Sequence, residues 1–427
     1  MQTNIGEKIR HLRIHKQLSQ TELVDGICSV AYLSKVENGK AKPSKAFLQQ
    51  VTERLNVSLD MIDNPSSDSF QCKLETNLAS IEDEKRSLTP EDESLFKMAL
   101  IEFVPPLLLM RVITALLKEY LANGIIREAE AVYEASVNLI DMSNFTPEND
   151  HEKKIYYHLH NALGKYFYLK ENFNKADFHF LVAERFIIHP HDLDSAKIYS
   201  NISLVKQRLL EDKKLAIFYS EKAFEIFKRE NDFVNLVNTL ITLGVQYHFS
   251  KQYENSLLVL KEAETYVETC DLPNKETIFI MTRYNIGRVY QSLADHEEAI
   301  TYYNWCLAAK VDDTHKVHIL KSLLEIKIHL KQWEEVKRLL DEALDLTQRN
   351  QIISVEIELH WIKAKVFKAR GDDYNYEIYI KHAIEVAKSH DYSLFVKRIA
   401  KELGDYYNEN RFYKKAANYY KLALDHS

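Results

Sequence analysis

One pattern recurs along most of this 427-residue chain: a small residue, an aromatic at offset 3, then alanine, an aromatic or aliphatic residue and another small residue at offsets 12, 16 and 19. The clearest copies are Gly164, Phe167, Ala176, Phe180, Ala183, then Gly287, Tyr290, Ala299, Tyr303, Cys306, and finally Gly404, Tyr407, Ala416, Tyr420, Ala423. Weaker copies begin at Leu117, Leu204, Gly244, Leu324 and Ala364, giving about eight. The offset-12 landmarks, Ala129, Ala176, Ala216, Ser256, Ala299, Val336, Tyr376 and Ala416, are spaced 37 to 47 residues apart. Self-similarity at such a period implies stacked units, each too small to bury its own apolar face and stabilised by its neighbours. Only 9 glycines and 8 prolines interrupt a composition of 46% hydrophobic and 28% charged residues, so the chain reads as all-α.

The pattern resembles the tetratricopeptide repeat, a pair of antiparallel helices, although that family's unit is shorter and the extra residues here fall in connections such as Asp271-Leu272-Pro273-Asn274. The resemblance covers residues 105–427 and implies a right-handed superhelix of about eight repeats. Small residues let helices approach closely and aromatics fill the space between layers, the expected role of most of the 25 tyrosines and 19 phenylalanines. The first helix of each repeat would line a concave wall suited to an extended peptide. Counting from the landmarks, the inward positions include Asn161, Lys165, Asn201, Asn238, Tyr284, Arg288 and Asn408. An asparagine amide both donates and accepts, so a ladder of them can clamp a peptide backbone. Arg127, Lys165 and Arg288 are placed to meet a carboxylate. The bland alternative is that these are ordinary polar residues on a wet surface.

Residues 1–64 differ in character. Residues 1–62 carry nine Lys/Arg and six Asp/Glu, a net +3, and the rest of the chain carries 47 and 57, a net −10. Ile5, Ile9, Leu12 and Ile14 fall roughly at helical spacing; Ser19 can cap a second helix, Gln20 to about Asp25. Gly26-Ile27-Cys28-Ser29 forms a short turn before a third helix, Val30 to Asn38. Gly39 ends it, Pro43-Ser44 opens a fourth helix carrying Phe47, Leu48, Val51 and Leu55, and Ser58 to Ile62 makes a fifth short one.

The stretch LSQTELVDGICSVAYLSKVENGKAKPS resembles the Xre-type helix-turn-helix family, through Ser19-Gln20, Leu23, Leu33 to Gly39, Pro43-Ser44 and Leu48. It departs from that family at the turn, where Cys28 stands in a usual glycine position and the spacing from Leu23 to Leu33 is one residue short. The resemblance implies double-stranded DNA as a partner, with the third helix in the major groove. Ser29, Val30, Ala31, Tyr32, Ser34 and Lys35 would then face base edges, with Gln20, Lys40, Lys42 and Arg13 near phosphates. Against this, Tyr32 can simply pack against the second helix, Lys35 can be a solvated charge, and the whole domain can be a protein-docking bundle.

Residues 65–104 turn polar and acidic, with Pro65-Ser66-Ser67-Asp68-Ser69 and Glu82-Asp83-Glu84, and read as a linker holding one short amphipathic helix. An Xre-type head joined to a tetratricopeptide-like array is similar to the quorum-sensing Rap/Rgg/NprR/PlcR/PrgX family, and most of all to its neutral-protease regulators, through GICSVAYLSKVENGK and Tyr284-Asn285-Ile286-Gly287. That resemblance implies a transcription regulator whose repeats bind a short secreted signalling peptide after reimport, switching oligomeric state and DNA binding. It also carries a peptide contact over to Asn285, which the repeat phase places one position off the inward face. Rap-type phosphatase chemistry is not carried over, because the head occupies the amino terminus. An alternative makes the repeats a scaffold that sequesters a response-regulator or phosphorelay protein in sporulation control, with peptide releasing it.

One small head makes few contacts, so a homodimer or higher oligomer on a palindromic promoter site is expected. No enzyme is expected: HExxH, phosphate-loop and nucleophile-elbow motifs are absent, and the pairs His11/His15, His158/His160, His189/His191 and His315/His318 lack partners at metal-ligand spacing. No cofactor or metal is expected. Cys28, Cys72, Cys270 and Cys306 lie far apart, consistent with buried thiols in a reducing compartment. With no long apolar run and no leader-like amino terminus, the expectation is a cytoplasmic protein that does not engage membrane.

Overall fold

The computed structural model describes residues 5–16, 18–55, 67–84, 86–100, 104–139 and 146–426, and among them every regular element is a helix. The fifth head helix expected at Ser58 to Ile62 and the boundary at residue 64 lie outside the described residues. The chain forms two compact units, Met1–Glu230 and Asn231–Ser427.

The first unit opens with a head of four described helices, α1 (Ile5–His15), α2 (Gln20–Val24), α3 (Val30–Glu37) and α4 (Lys45–Leu55). Their shared core is Ile9, Leu23, Val24, Leu33, Val36, Phe47, Leu48, Val51 and Leu55. Helix α2 starts on a capping box, Ser19 Oγ accepting from Glu22 N while Glu22 accepts from Ser19 N. Ser29 caps α3, and Gly26 and Gly39 take left-handed φ values of 71° and 67° on either side of it. Gly6 lies so close to α3 that an added Cβ would sit 1.8 Å from Val36 O, which holds α1 against the end of α3.

Helices α5 (Ser67–Glu84) and α6 (Pro90–Ala99) follow. The polar stretch expected to form a linker with one short helix is instead largely two packed helices. Leu74, Leu78, Leu95, Phe96 and Ala99 are buried in the core of the first repeats, because apolar side chains at helical spacing were hidden among abundant Ser, Asp and Glu. Three helix pairs complete the unit: α7 (Pro106–Ala122) with α8 (Ile126–Leu139), α9 (Asp150–Leu169) with α10 (Phe173–Arg185), and α11 (Leu193–Leu209) with α12 (Lys214–Arg229).

The second unit contains five more pairs: α13 (Phe233–Phe249) with α14 (Tyr253–Thr269), α15 (Lys275–Ser292) with α16 (His296–Ala308), α17 (Asp313–His329) with α18 (Trp333–Arg349), α19 (Ile353–Ala369) with α20 (Asp373–Ser389), and α21 (Ser393–Glu409) with α22 (Tyr413–Asp425). The tetratricopeptide-like pairs are therefore eight among the described residues. All eight offset-12 landmarks fall in the first turn of a second helix and are at most 2% exposed. The link between offsets 0 and 16 is steric. A Cβ on Gly164 would lie 2.4 Å from the Phe180 ring, and on Gly287 2.7 Å from that of Tyr303. The glycine is the floor on which the partner helix's ring rests.

Candidate functional site

In the head, α3 buries Leu33 and Val36 and exposes Ser29, Val30, Ala31 and Lys35, while Ser34 is half-buried. Lys40 and Lys42 are exposed just beyond it. This is the disposition a major-groove helix needs: small side chains and one cation outward, with further cations beside it. Tyr32 is half-buried, its ring edge-on to Phe47 at 5.3 Å and its hydroxyl donating to Lys42 O at 3.4 Å, so it braces α4 and the following turn rather than α2. Gln20 and Arg13, expected near phosphates, are engaged inside the head. Gln20 Nε2 donates to Glu37 Oε2 (2.7 Å), and Arg13 meets the same carboxylate through Nε (2.7 Å) and a terminal nitrogen (3.0 Å). Glu37 is 3% exposed, and this network binds α1, α2 and α3 together. Sequence reading did not foresee it, nor the Arg54 guanidinium donating to the carbonyls of Glu22 and Leu23 at the end of α2.

In the first unit, the first helices of the three pairs bring several expected residues together. Asn201 on α11 donates its amide to Asn161 Oδ1 on α9 at 2.9 Å, across 40 residues of sequence. Beside them Lys118 and Lys165 line a pocket of about 290 Å³ with Ala162, Leu121, Phe180 and Asn201. Lys118 was missed, yet like Lys165 and Arg288 it stands one residue after the first landmark of its repeat, here the weak copy that begins at Leu117. Arg127 is exposed on the second helix α8, away from this pair. A larger cavity, about 1060 Å³, lies among α5, the 86–88 segment, α7, α9 and the start of α11. Its His158 is pushed down to about 3, chiefly by desolvation and then by the charges of Lys118 and Lys154. His160, two residues on, faces the core, its Nδ1 3.0 Å from that of His179.

In the second unit, Tyr284 is half-buried with its hydroxyl 3.2 Å from Ser322 Oγ, and Arg288 stacks over Phe249 at 5.9 Å. His248, 2.7 Å from Ser292 Oγ, is lowered to about 4 by desolvation and then by Arg288. The wall of α13, α15 and α17 thus offers a cation, a phenol and neutral imidazole. Asn285 turns back to donate to Met281 O on its own helix at 2.9 Å, and Asn238 and Asn408 are exposed. Among the described residues no cluster of three or more His, Cys, Asp or Glu is arranged to hold a metal, and no helix is long and apolar enough to cross a membrane.

Residues 9–62 match the helix-turn-helix family HTH_3. Among the described residues the chain is all-α, with a helix-turn-helix head of the kind that binds DNA followed by a tetratricopeptide-like repeat region. Along nearly its whole length it is similar to the transcriptional activator NprA of Geobacillus stearothermophilus, at 23% identity over 414 residues, covering 94% of this chain and 98% of the relative. Its fold matches the apo form of the quorum sensor NprR from B. thuringiensis with a TM-score of 0.62 at 17% identity, over 84% of this chain and 98% of the other. NprR in complex with its cognate peptide NprX matches with a TM-score of 0.53, also at 17% identity, over 84% and 99%. In sequence the chain is thus similar to a transcriptional activator, and in fold to the quorum sensor NprR.

Proposed function

We propose that this protein is a cytoplasmic, peptide-gated transcription regulator: a homodimer or higher oligomer whose heads read the two halves of a palindromic promoter site and whose repeats bind a short signalling peptide that sets the oligomeric state. The observation that carries the reading is the pairing of two surfaces in one chain. Helix α3 holds its outward face of Ser29, Val30, Ala31 and Lys35 on a cross-braced head. The repeat wall joins Asn161 to Asn201 and leaves Asn161 Nδ2 and Asn201 Oδ1 without a partner among the described residues, the donor and acceptor that a peptide backbone requires. The relative named as a transcriptional activator and the neighbour solved with a cognate peptide support the two halves of the reading.

The test measures binding of the full chain to its own promoter fragment by fluorescence anisotropy, with and without the peptide encoded beside its gene. The logarithm of affinity is expected to fall with the logarithm of salt by about 0.9 for each phosphate neutralised, and peptide is expected to shift the curve. Calorimetry should show saturable peptide binding that Asn161→Ala weakens. Absent or salt-independent DNA binding in both states overturns the regulator reading. Peptide binding that releases a captured phosphorelay protein and leaves DNA affinity untouched favours the scaffold instead.

A further inference from the structure

The larger cavity of the first unit is lined by five cations and five carboxylates, and two of its lysines are held by none of those carboxylates. Five carboxylates line it, and each is already engaged. Glu82 holds Arg111 at 2.7 Å, Asp194 lies 3.6 Å from Lys197, and Asp192 caps α11 through Ser195 N. Glu119 accepts from Leu88 N and Asn123, and Glu230 accepts from Arg229. Arg86, also on the wall, is held by Asp92 at 2.6 Å. Lys118, Lys154 and Lys165 stand apart from these pairs: none has a carboxylate within 4.0 Å among the described residues. They come from α7 and α9, and Lys118 lies at the junction of the large cavity and the smaller pocket that holds Lys165 and Asn201.

The three lysines are exposed to the cavity and pocket they line, where like charges repel one another. Lys118 and Lys165 are both driven below the ordinary lysine value, first by desolvation and then by a neighbouring lysine, while Glu82 and Asp194 act in the opposite direction on Lys118. Thr114 and neutral His158 add polar groups to the same wall, and Ile155, Leu88 and Ala115 supply apolar surface. The volume, about 1060 Å³, suits several residues of an extended peptide better than a lone inorganic ion.

We propose that Lys118, Lys154 and Lys165 form the anion subsite of the repeat region, which takes a carboxylate of the peptide, either an acidic side chain or the carboxyl terminus, where the backbone leaves the Asn161–Asn201 amides. This rests on the peptide reading above and adds a specificity to it: the ligand is acidic at the end that reaches α7 and α9. A carboxylate there receives charge-assisted hydrogen bonds from lysines that make no close ion pair within the chain, so binding adds contacts that the free protein lacks.

The probes are mixed sets of short peptides of Ala, Ser, Pro and Ile with Asp fixed at one position, and matched sets with Asn there, each made with a free and an amidated carboxyl terminus. Binding to the full chain is measured by competition anisotropy. One acidic arm is expected to bind roughly tenfold to a hundredfold more tightly than its neutral match, the worth of a hydrogen bond to a charged group, and which arm does so identifies the carboxylate. Lys118→Gln with Lys165→Gln should abolish the preference, so that acidic and neutral sets bind alike, whereas Lys153→Gln, which removes a lysine paired with Asp150, should keep it. Equal binding of acidic and neutral sets overturns the anion subsite while leaving the peptide reading intact. A preference that survives the double substitution also overturns it, and failure of every set to bind overturns both.

Discussion

Glu37 shows how a single side chain can decide whether the head exists in a binding form. Its carboxylate is 2% exposed, and it accepts from Arg13 on α1 and Gln20 on α2, so three helices converge on one buried charge. Removing one partner of a buried pair strands the other without water. Glu37→Ala is therefore expected to cost the head about 3 kcal/mol and to abolish promoter binding, with peptide affinity unchanged. Hydrogen exchange of the α1 to α3 amides in the full chain checks this, and native-like protection there would refute it. The network also changes what Gln20 and Arg13 do. Expected from the sequence near phosphates, both are held by Glu37 in the free protein, while Lys35, Lys40 and Lys42 are exposed on and just beyond α3.

Helix ends carry much of the information that the sequence concealed. The repeat landmarks were legible because a steric rule fixes them: Gly164 must be small where Phe180 lies on it, and Ala129 and its counterparts must fit a closed first turn. The links were less legible. Gly124 and Gly371 supply a left-handed residue between paired helices, but Glu171, Lys251, Ala294, Lys331 and Arg411 hold the same conformation with side chains that disfavour it. Ala294, exposed with φ 60°, touches nothing it would lose, so Ala294→Gly is expected to stabilise the second unit by about 0.5–1 kcal/mol, read from the urea midpoint; a lowered midpoint would show that the turn is not strained. Helices α5 and α6 escaped notice because their core residues Leu74, Leu78 and Phe96 are diluted by acidic ones. Asp92 is one of those acids, and it is structural: against the opposing effect of burial, hydrogen bonds from Arg86 and Thr89 hold it down to about 2, and Asn77 on α5 donates to it at 2.8 Å. A carboxylate lowered in the folded state adds stability above its unfolded value of about 3.8, and that stability disappears as pH falls through about 2. The contribution is about 2 kcal/mol. The protection of α6 amides should accordingly drop between pH 4 and 2 in the parent and be lower and nearly flat in Asp92→Asn.

The whole chain sets a head of net +3 against a remainder of net −10, and this asymmetry bears on how DNA can be held. A single head offers few cations, while the acidic remainder is repelled by the same phosphates. On the dimeric reading proposed above, affinity comes from two heads acting on one duplex, where the second binds at the high local concentration created by the first. Deleting one half of the palindromic site is thus expected to weaken binding by about a hundredfold or more and to cut the salt slope by about half, since the slope counts neutralised phosphates. Raising salt has opposite effects on the two terms: it weakens the head's attraction and screens the body's repulsion. The half-site should therefore lose less affinity with salt than its few phosphate contacts alone dictate. Anisotropy titrations on full and half sites across a salt series measure both slopes. Equal slopes on the two DNAs would mean that one head carries all the phosphate contacts, and pairing of heads would then have no part in recognition.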